Sequence, residues 1–167
     1  MKKVIIIILV TILVFILFIK IMWYIIGGNV YSIVGSTETA VLDSNGDIVI
    51  VEEDITNQPT FISYKYEGVS IGILAIKNSK DKVMVVVNTC EACGEDPNGY
   101  FLLKGNKLKN QSCGNEITID DLEDLNGAGC DPIKIIDRRE EEGKIIIGTS
   151  QLKELKDRFK NWRGPKE

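Results

Sequence analysis

The residues of this chain best suited to chemistry are its four cysteines, Cys90, Cys93, Cys113 and Cys130. The first two lie in "NTCEACGEDPNGYF", a Cys-x2-Cys pair followed by glycine, turn residues and an aromatic. Cys113 is also followed by glycine, and Cys130 sits in the small-residue loop "NGAGCDP". In a metal knuckle the chain folds tightly around a thiolate and turns its N–H groups toward the sulfur. Glycine suits such a turn because it reaches positive φ without a steric penalty. Four thiolates with no competing soft ligand apart from methionine fit tetrahedral zinc, a single iron or an iron–sulfur cluster. The spacing matches neither the bacterial ferredoxin run nor the plant-type pattern. Histidine is absent, which excludes imidazole ligation and imidazole acid–base chemistry.

The same spacing admits structural disulfides, a redox-active Cys90–Cys93 disulfide, or free thiols. An exported domain can meet an oxidising compartment, where cysteines pair. A thioredoxin-like motif would continue into a helix after its second cysteine, but "GEDPNG" reads as a turn.

Strands must position these residues. "TAVLDSNGDIVIV" predicts a hairpin turning at Asn45-Gly46. "TFISYKY" alternates and predicts a strand with one solvated face, and Glu67-Gly68 turns it into "VSIGILAIK". "VMVVVN" is a buried-type strand running directly into Cys90. "YFLLKGNKLKN" predicts a second hairpin, which brings Cys113 to a loop tip beside the knuckle. "ITIDDLEDL" reads as a short strand or a helical turn. "PIKIIDRREEEGKIIIG" reads as a strand pair around an acidic loop. "TSQLKELKDRFKNW" predicts the one soluble helix, with an apolar stripe of Leu152, Leu155, Phe159 and Trp162, capped by Ser150 and ended by Gly164-Pro165. The fold class is mainly β (α+β): an antiparallel meander with one C-terminal helix.

Residues 1–28 are of a different kind. Val4 to Ile26 is 23 residues, about 34 Å of helix and enough to cross a bilayer. Lys2 and Lys3 precede the run, Lys20 can snorkel, and Trp23 and Tyr24 suit the interface. The expectation is an uncleaved single-span anchor with a cytoplasmic N-terminus and residues 29–167 as an extracytoplasmic domain. A cleaved signal peptide is disfavoured by the length of the run and by the lack of a small-x-small site after it. Residues 1–28 hold three lysines and no acid, so 17 of the 20 basic side chains and all 24 acidic ones lie beyond them, a formal charge of about −7. That balance argues against nucleic acid and against an anionic membrane surface as partners of the domain.

At the cysteines the chain resembles the FtrD-like family of membrane iron–sulfur-containing proteins. The likeness runs through "NGDIVIVEEDI", "FISYKY", "VSIGILAIKNSKDKVMVVVNTCEACG", "GY", "CGN", "GAGCDPIKI" and the helix after "IIIGTSQL". It implies that Cys90, Cys93, Cys113 and Cys130 hold an iron–sulfur cluster or iron, with zinc as the alternative. It further implies a role in iron acquisition or electron transfer beside a membrane iron permease or another redox partner. The family's pattern has a second cysteine pair, and here Asn110 stands where that pair would begin. Asp131 stands where the family usually has asparagine. No nucleophile–base pair stands out, so the chain reads as a binding or electron-transfer module more than as an enzyme. The competing readings are an interaction domain stiffened by structural zinc and a thiol–disulfide protein.

Overall fold

Alternation along two central strands organises the larger, β-rich part of the chain. In a strand, successive side chains point to opposite faces, so an unbroken apolar run is stable only where both faces are covered. Val83–Cys90 is such a run, buried at every position. In the computed structural model, which describes residues 15–18, 35–127 and 129–165, it is strand β6.

The chain divides into two compact units, Met1–Ser32 and Ile33–Glu167. In the first, residues 15–18 are helical and exposed, and the rest of the expected membrane span lies outside the described residues. Among the described residues no helix is long and apolar enough to cross a membrane.

The second unit is mainly β. Its strands are β1 (Ser36–Thr39), β2 (Val41–Leu42), β3 (Ile48–Val51), β4 (Thr60–Tyr66), β5 (Val69–Lys77), β6, β7 (Phe101–Lys104), β8 (Lys107–Asn110), β9 (Glu116–Thr118), β10 (Pro132–Lys134), β11 (Arg138–Glu141) and β12 (Lys144–Ile147). They form a five-stranded sheet β1-β4-β5-β6-β10, a four-stranded sheet β11-β12-β3-β2 and a three-stranded sheet β7-β8-β9. Ile62, Tyr64, Ile71, Ile73, Val85 and Val87 on one face of the large sheet pack with Ile48, Ile50, Ile145 and Ile147 of the four-stranded sheet. Phe61, Leu74, Ile76, Met84, Val86 and Cys90 on the opposite face pack with Phe101 and Leu108 of the three-stranded sheet. Among the described residues, the second unit thus has two cores separated by one sheet, and Cys90 belongs to the second.

Several expectations are met. Glu67-Gly68 joins β4 to β5 as a two-residue turn with both φ positive, 47° and 79°, the conformation whose twist matches antiparallel strands. Gly105-Asn106 joins β7 to β8, and residues 116–124 give both a strand and a 3-10 turn, Asp120–Asp124.

Other expectations are corrected. Strand β4 has no continuous solvated face, because Phe61 is buried in the second core while Ile62 and Tyr64 enter the first. The first hairpin closes through residues 43–47 instead of a two-residue turn, with the Asp43 carboxylate accepting from the N–H groups of Asn45 and Asp47. The meander is not purely antiparallel, since β1 runs parallel to β4. The acidic run is itself strand β11, paired with β12, and only Glu142-Gly143 forms the turn. The C-terminal helix α1 covers only Ser150–Glu154, followed by a 3-10 turn at Lys156–Phe159. Its cap residue is Thr149, with no side-chain cap from Ser150. The apolar stripe still docks: Leu152 and Phe159 are buried in the first core, and Leu155 and Trp162 pack against it.

Trp162 lies so close over Gly72 of β5 that a Cβ at residue 72 would overlap the indole ring. Gly72→Ala is therefore expected to displace Trp162 and destabilise the domain by about 1–3 kcal/mol, the usual cost of overpacking. Denaturant unfolding followed by tryptophan fluorescence checks this, and an unchanged midpoint would show that the ring is free to move.

Candidate metal centre

Three connections bring the cysteines together. Cys90 is the last residue of β6, and Cys93 lies in the turn, residues 91–95, that leaves it. Cys113 lies on the turn between β8 and β9. Cys130 lies two residues before β10, which pairs beside β6 so that Pro132 is the register partner of Cys90. The knuckle and the Cys130 loop are joined by Ala92 N–H donating to Gly129 O, 2.9 Å. The Cys113 turn is joined to the same loop by Asn115, whose Nδ2 donates to Cys130 O (3.2 Å) and to the Asp131 carboxylate (3.1 Å).

The sulfurs of Cys90, Cys93 and Cys113 all lie within 4.8 Å of one another. Cys90 and Cys93 are bonded as a disulfide, with Cα atoms 5.3 Å apart. Cys113 and Cys130 are free thiols. Cys130 stands outside the mutual 4.8 Å group, on the loop next to it. Interaction with the neighbouring Cys113 side chain, then burial and the charges of Cys113 and Asp131, push the Cys130 thiol above its ordinary value. Cys90 is fully buried and Cys113 is exposed, so the cluster opens from the second core to the surface.

The residues fit a thiolate-held metal or cluster. Thiolates arranged tetrahedrally at a metal–sulfur distance of 2.3 Å stand about 3.8 Å apart. Opening the Cys90–Cys93 bond and spreading its sulfurs to that separation stays inside the spacing already present. The Cys93 N–H points at Cys90 Sγ, 3.0 Å away, the N–H-to-sulfur contact expected of a knuckle. Among the described residues this is the one group of three or more metal-ligating side chains so closely spaced. The acidic groups around residues 120–124 and 139–141 are engaged elsewhere: Asp120 with Ser79, Glu123 with Lys82, and Glu141 with Arg139.

The sequence reading missed the residues that hold the cluster. Arg158 donates through Nη1 to Cys90 O (3.3 Å) and Glu91 O (2.9 Å), and through Nη2 to the Glu91 carboxylate (2.8 Å). Asp96 accepts from Asn98 N–H and Ser112 Oγ, tying the loop after Cys93 to the Cys113 turn. Those two bonds hold its carboxyl below the usual carboxylate range. Gly99 packs behind the pair, where an added Cβ would stand 2.9 Å from Cys93 Cβ. Asn110 ends β8 fully buried, and its Oδ1 accepts from the N–H groups of Ser112 (2.9 Å) and Cys113 (3.1 Å). The sequence carried one signal for this: "NQSC" places an asparagine where its side chain can cap the N–H groups two and three residues on.

A family model described as "Membrane iron-sulfur containing protein FtrD-like" matches residues 52–159, a span that contains all four cysteines. No curated protein and no solved structure matches the chain.

Proposed function

The chain belongs to the FtrD-like family of membrane iron–sulfur containing proteins, and from that premise we propose that it is a membrane-anchored, extracytoplasmic metal-binding protein, serving a membrane iron-transport system as a redox or metal-handling partner. The observation that carries the reading is the convergence of the Cys90, Cys93 and Cys113 sulfurs within 4.8 Å of one another, with Cys130 on the neighbouring loop. Reduced, the four sulfurs supply the ligands. The Cys93 N–H and the Asn115 side chain orient the loops that carry them. Arg158 fixes the backbone of the knuckle from the C-terminal segment. An iron–sulfur cluster bound there would supply one-electron transfer at a potential set by hydrogen bonds to sulfur and by solvent exposure.

Anaerobic reconstitution of the reduced full chain with iron and sulfide tests the cluster reading. It predicts visible absorbance lost in Cys90→Ser, whereas a colourless protein that retains zinc supports the structural-zinc reading. For the membrane half, a reporter fused after Glu167 is expected to be active only outside the cytoplasm, and cytoplasmic activity would contradict the topology.

The Cys90–Cys93 disulfide favours a second reading, a thiol–disulfide protein in which this pair cycles between bonded and reduced states. The two readings meet in one requirement: the pair must be reduced before it can ligate.

A further inference from the structure

Between Lys20 and Lys65 the sequence has no lysine or arginine, and residues 35–64 carry six carboxylates: Glu38, Asp43, Asp47, Glu52, Glu53 and Asp54. The same segment lines a groove of about 140 Å³ at the edge of the first core. The groove forms where the chain passes from one sheet to the other. Strand β1 lies along β4, Ala40 N–H donates to Ser63 O, and β2 then joins β3. Strand β2 has two residues and pairs only with Ile48 and Val49, so no strand covers Ile50 and Val51 on that side. Glu52 N–H donates to Gly143 O on the β12 side. Backbone groups alternate in direction along a strand, so the N–H and C=O of Val51 point the other way, toward the groove. Val41, Val49, Val51, Ile55 and Ile62 line it, and Val41 is 67% exposed. Glu38 and Asp54 also line it, both exposed, and neither forms an ion pair among the described residues. Lys144 faces Val51 from β12, on the side away from the groove.

We propose that this groove docks an extended basic segment of another protein, which pairs with the open edge of β3 and lays the stem of a lysine or arginine over Val41 and Val51, with its charge against Glu38 and Asp54. An uncovered strand edge is a template for pairing with another chain. Strand addition there supplies main-chain hydrogen bonds, and the groove beside it supplies selectivity for a side chain. Lysine and arginine match both parts of the groove, because the stem is apolar and the head is cationic. The base-free segment repels an anionic lipid surface or a nucleic acid and draws in a basic partner. A second copy of this chain is a poorer match, since residues 29–167 carry 17 basic and 24 acidic side chains and two copies repel. The groove adjoins the first core, whereas Cys90 belongs to the second, so this site is separate from the proposed metal centre.

The probe is a fluorescein-labelled synthetic peptide of alternating lysine and valine, with a glutamate–valine peptide of equal length as control. Each is titrated with the full chain and followed by fluorescence anisotropy. Only the lysine–valine peptide is expected to bind, and more weakly as salt is raised. Glu38→Lys combined with Asp54→Lys should weaken binding about 10-fold, the scale of two exposed ion pairs lost and reversed. Asp121→Lys combined with Asp124→Lys makes the same charge change on a distant exposed turn, and should alter affinity less than about 2-fold because salt screens it. A lysine–valine peptide N-methylated at alternate residues lacks main-chain donors and should bind about 10-fold more weakly. Val41→Lys changes one exposed residue, should also weaken binding, and serves if the paired variant does not fold. No binding of the lysine–valine peptide, equal losses in the two charge-reversed variants, or full binding of the N-methylated peptide overturns the proposal. A dimer of the chain that Val41→Lys abolishes overturns it too, by giving the groove to a second copy. Metal content should be unchanged in Glu38→Lys combined with Asp54→Lys, so this site and the metal centre stand or fall separately.

Discussion

Cys113→Ser is expected to lower the zinc affinity of the reduced chain by about 100- to 1000-fold. A structural thiolate site contributes about 10–16 kcal/mol in total, so an even quarter is about 3 kcal/mol, with each 1.4 kcal/mol worth a factor of ten. The variant is a clean one because Cys113 is exposed and takes no part in either core. Without metal its unfolding midpoint should match that of the wild type, within about 0.5 kcal/mol. Cys90→Ser lacks this advantage, since Cys90 is fully buried among Val86, Phe101 and their neighbours. Chelator competition and metal-free denaturation together check the prediction. Affinity should also fall as pH is lowered, because protons compete with the metal for the thiolates. An affinity indifferent both to Cys113 and to pH would remove the thiolate site from consideration.

The second large effect is expected at Phe101. Its ring is fully buried in the core that holds Cys90, and its N–H is bonded to Asn88. Phe101→Ala should cost about 3–5 kcal/mol, the usual loss for a buried aromatic, out of a total stability of about 5–15 kcal/mol for a domain. Leu152→Ala should cost about 2–5 kcal/mol, but in the opposite core, away from the cysteines. The two variants therefore differ in their effect on the site. Under conditions where both remain folded, Phe101→Ala is expected to weaken metal retention and Leu152→Ala to leave it near the wild-type level. Equal retention in both would mean that the second core does not support the cysteine loops.

What the sequence made legible follows the reach of its local rules. The apolar runs around Ile73 and Val85, and the turns at Glu67-Gly68 and Gly105-Asn106, depend on neighbours in the chain, and each forms as read. The shared location of the cysteine loops was legible as well, because β6 leads into Cys90 and one hairpin leads from the pair to Cys113. Burial of Phe61 was not, since it depends on the three-stranded sheet covering a face that alternation alone marks as solvated. The early end of α1 was not legible either. Arg158 reaches the carbonyls of Cys90 and Glu91, and Arg163 N–H bonds Pro97 O. These contacts draw the last turns away from a straight helix, and no periodicity in the segment anticipates them. Asn110 shows the same limit in the site: family resemblance marked it as a missing cysteine, whereas its bonds make it the residue that closes the Cys113 turn.

The most direct measurement of the central claim is metal content together with free-thiol count, on anaerobically prepared wild type and Cys130→Ser. If the cysteines share one metal site, the wild type holds about one equivalent of zinc, or iron with visible absorbance, and releases it on acidification. Cys130→Ser then weakens the whole site, because the three remaining sulfurs hold the same ion. If the cysteines are instead paired, Cys130→Ser frees only its own partner and the other bridge survives. Two intact disulfides and no bound metal in the wild type would contradict the account.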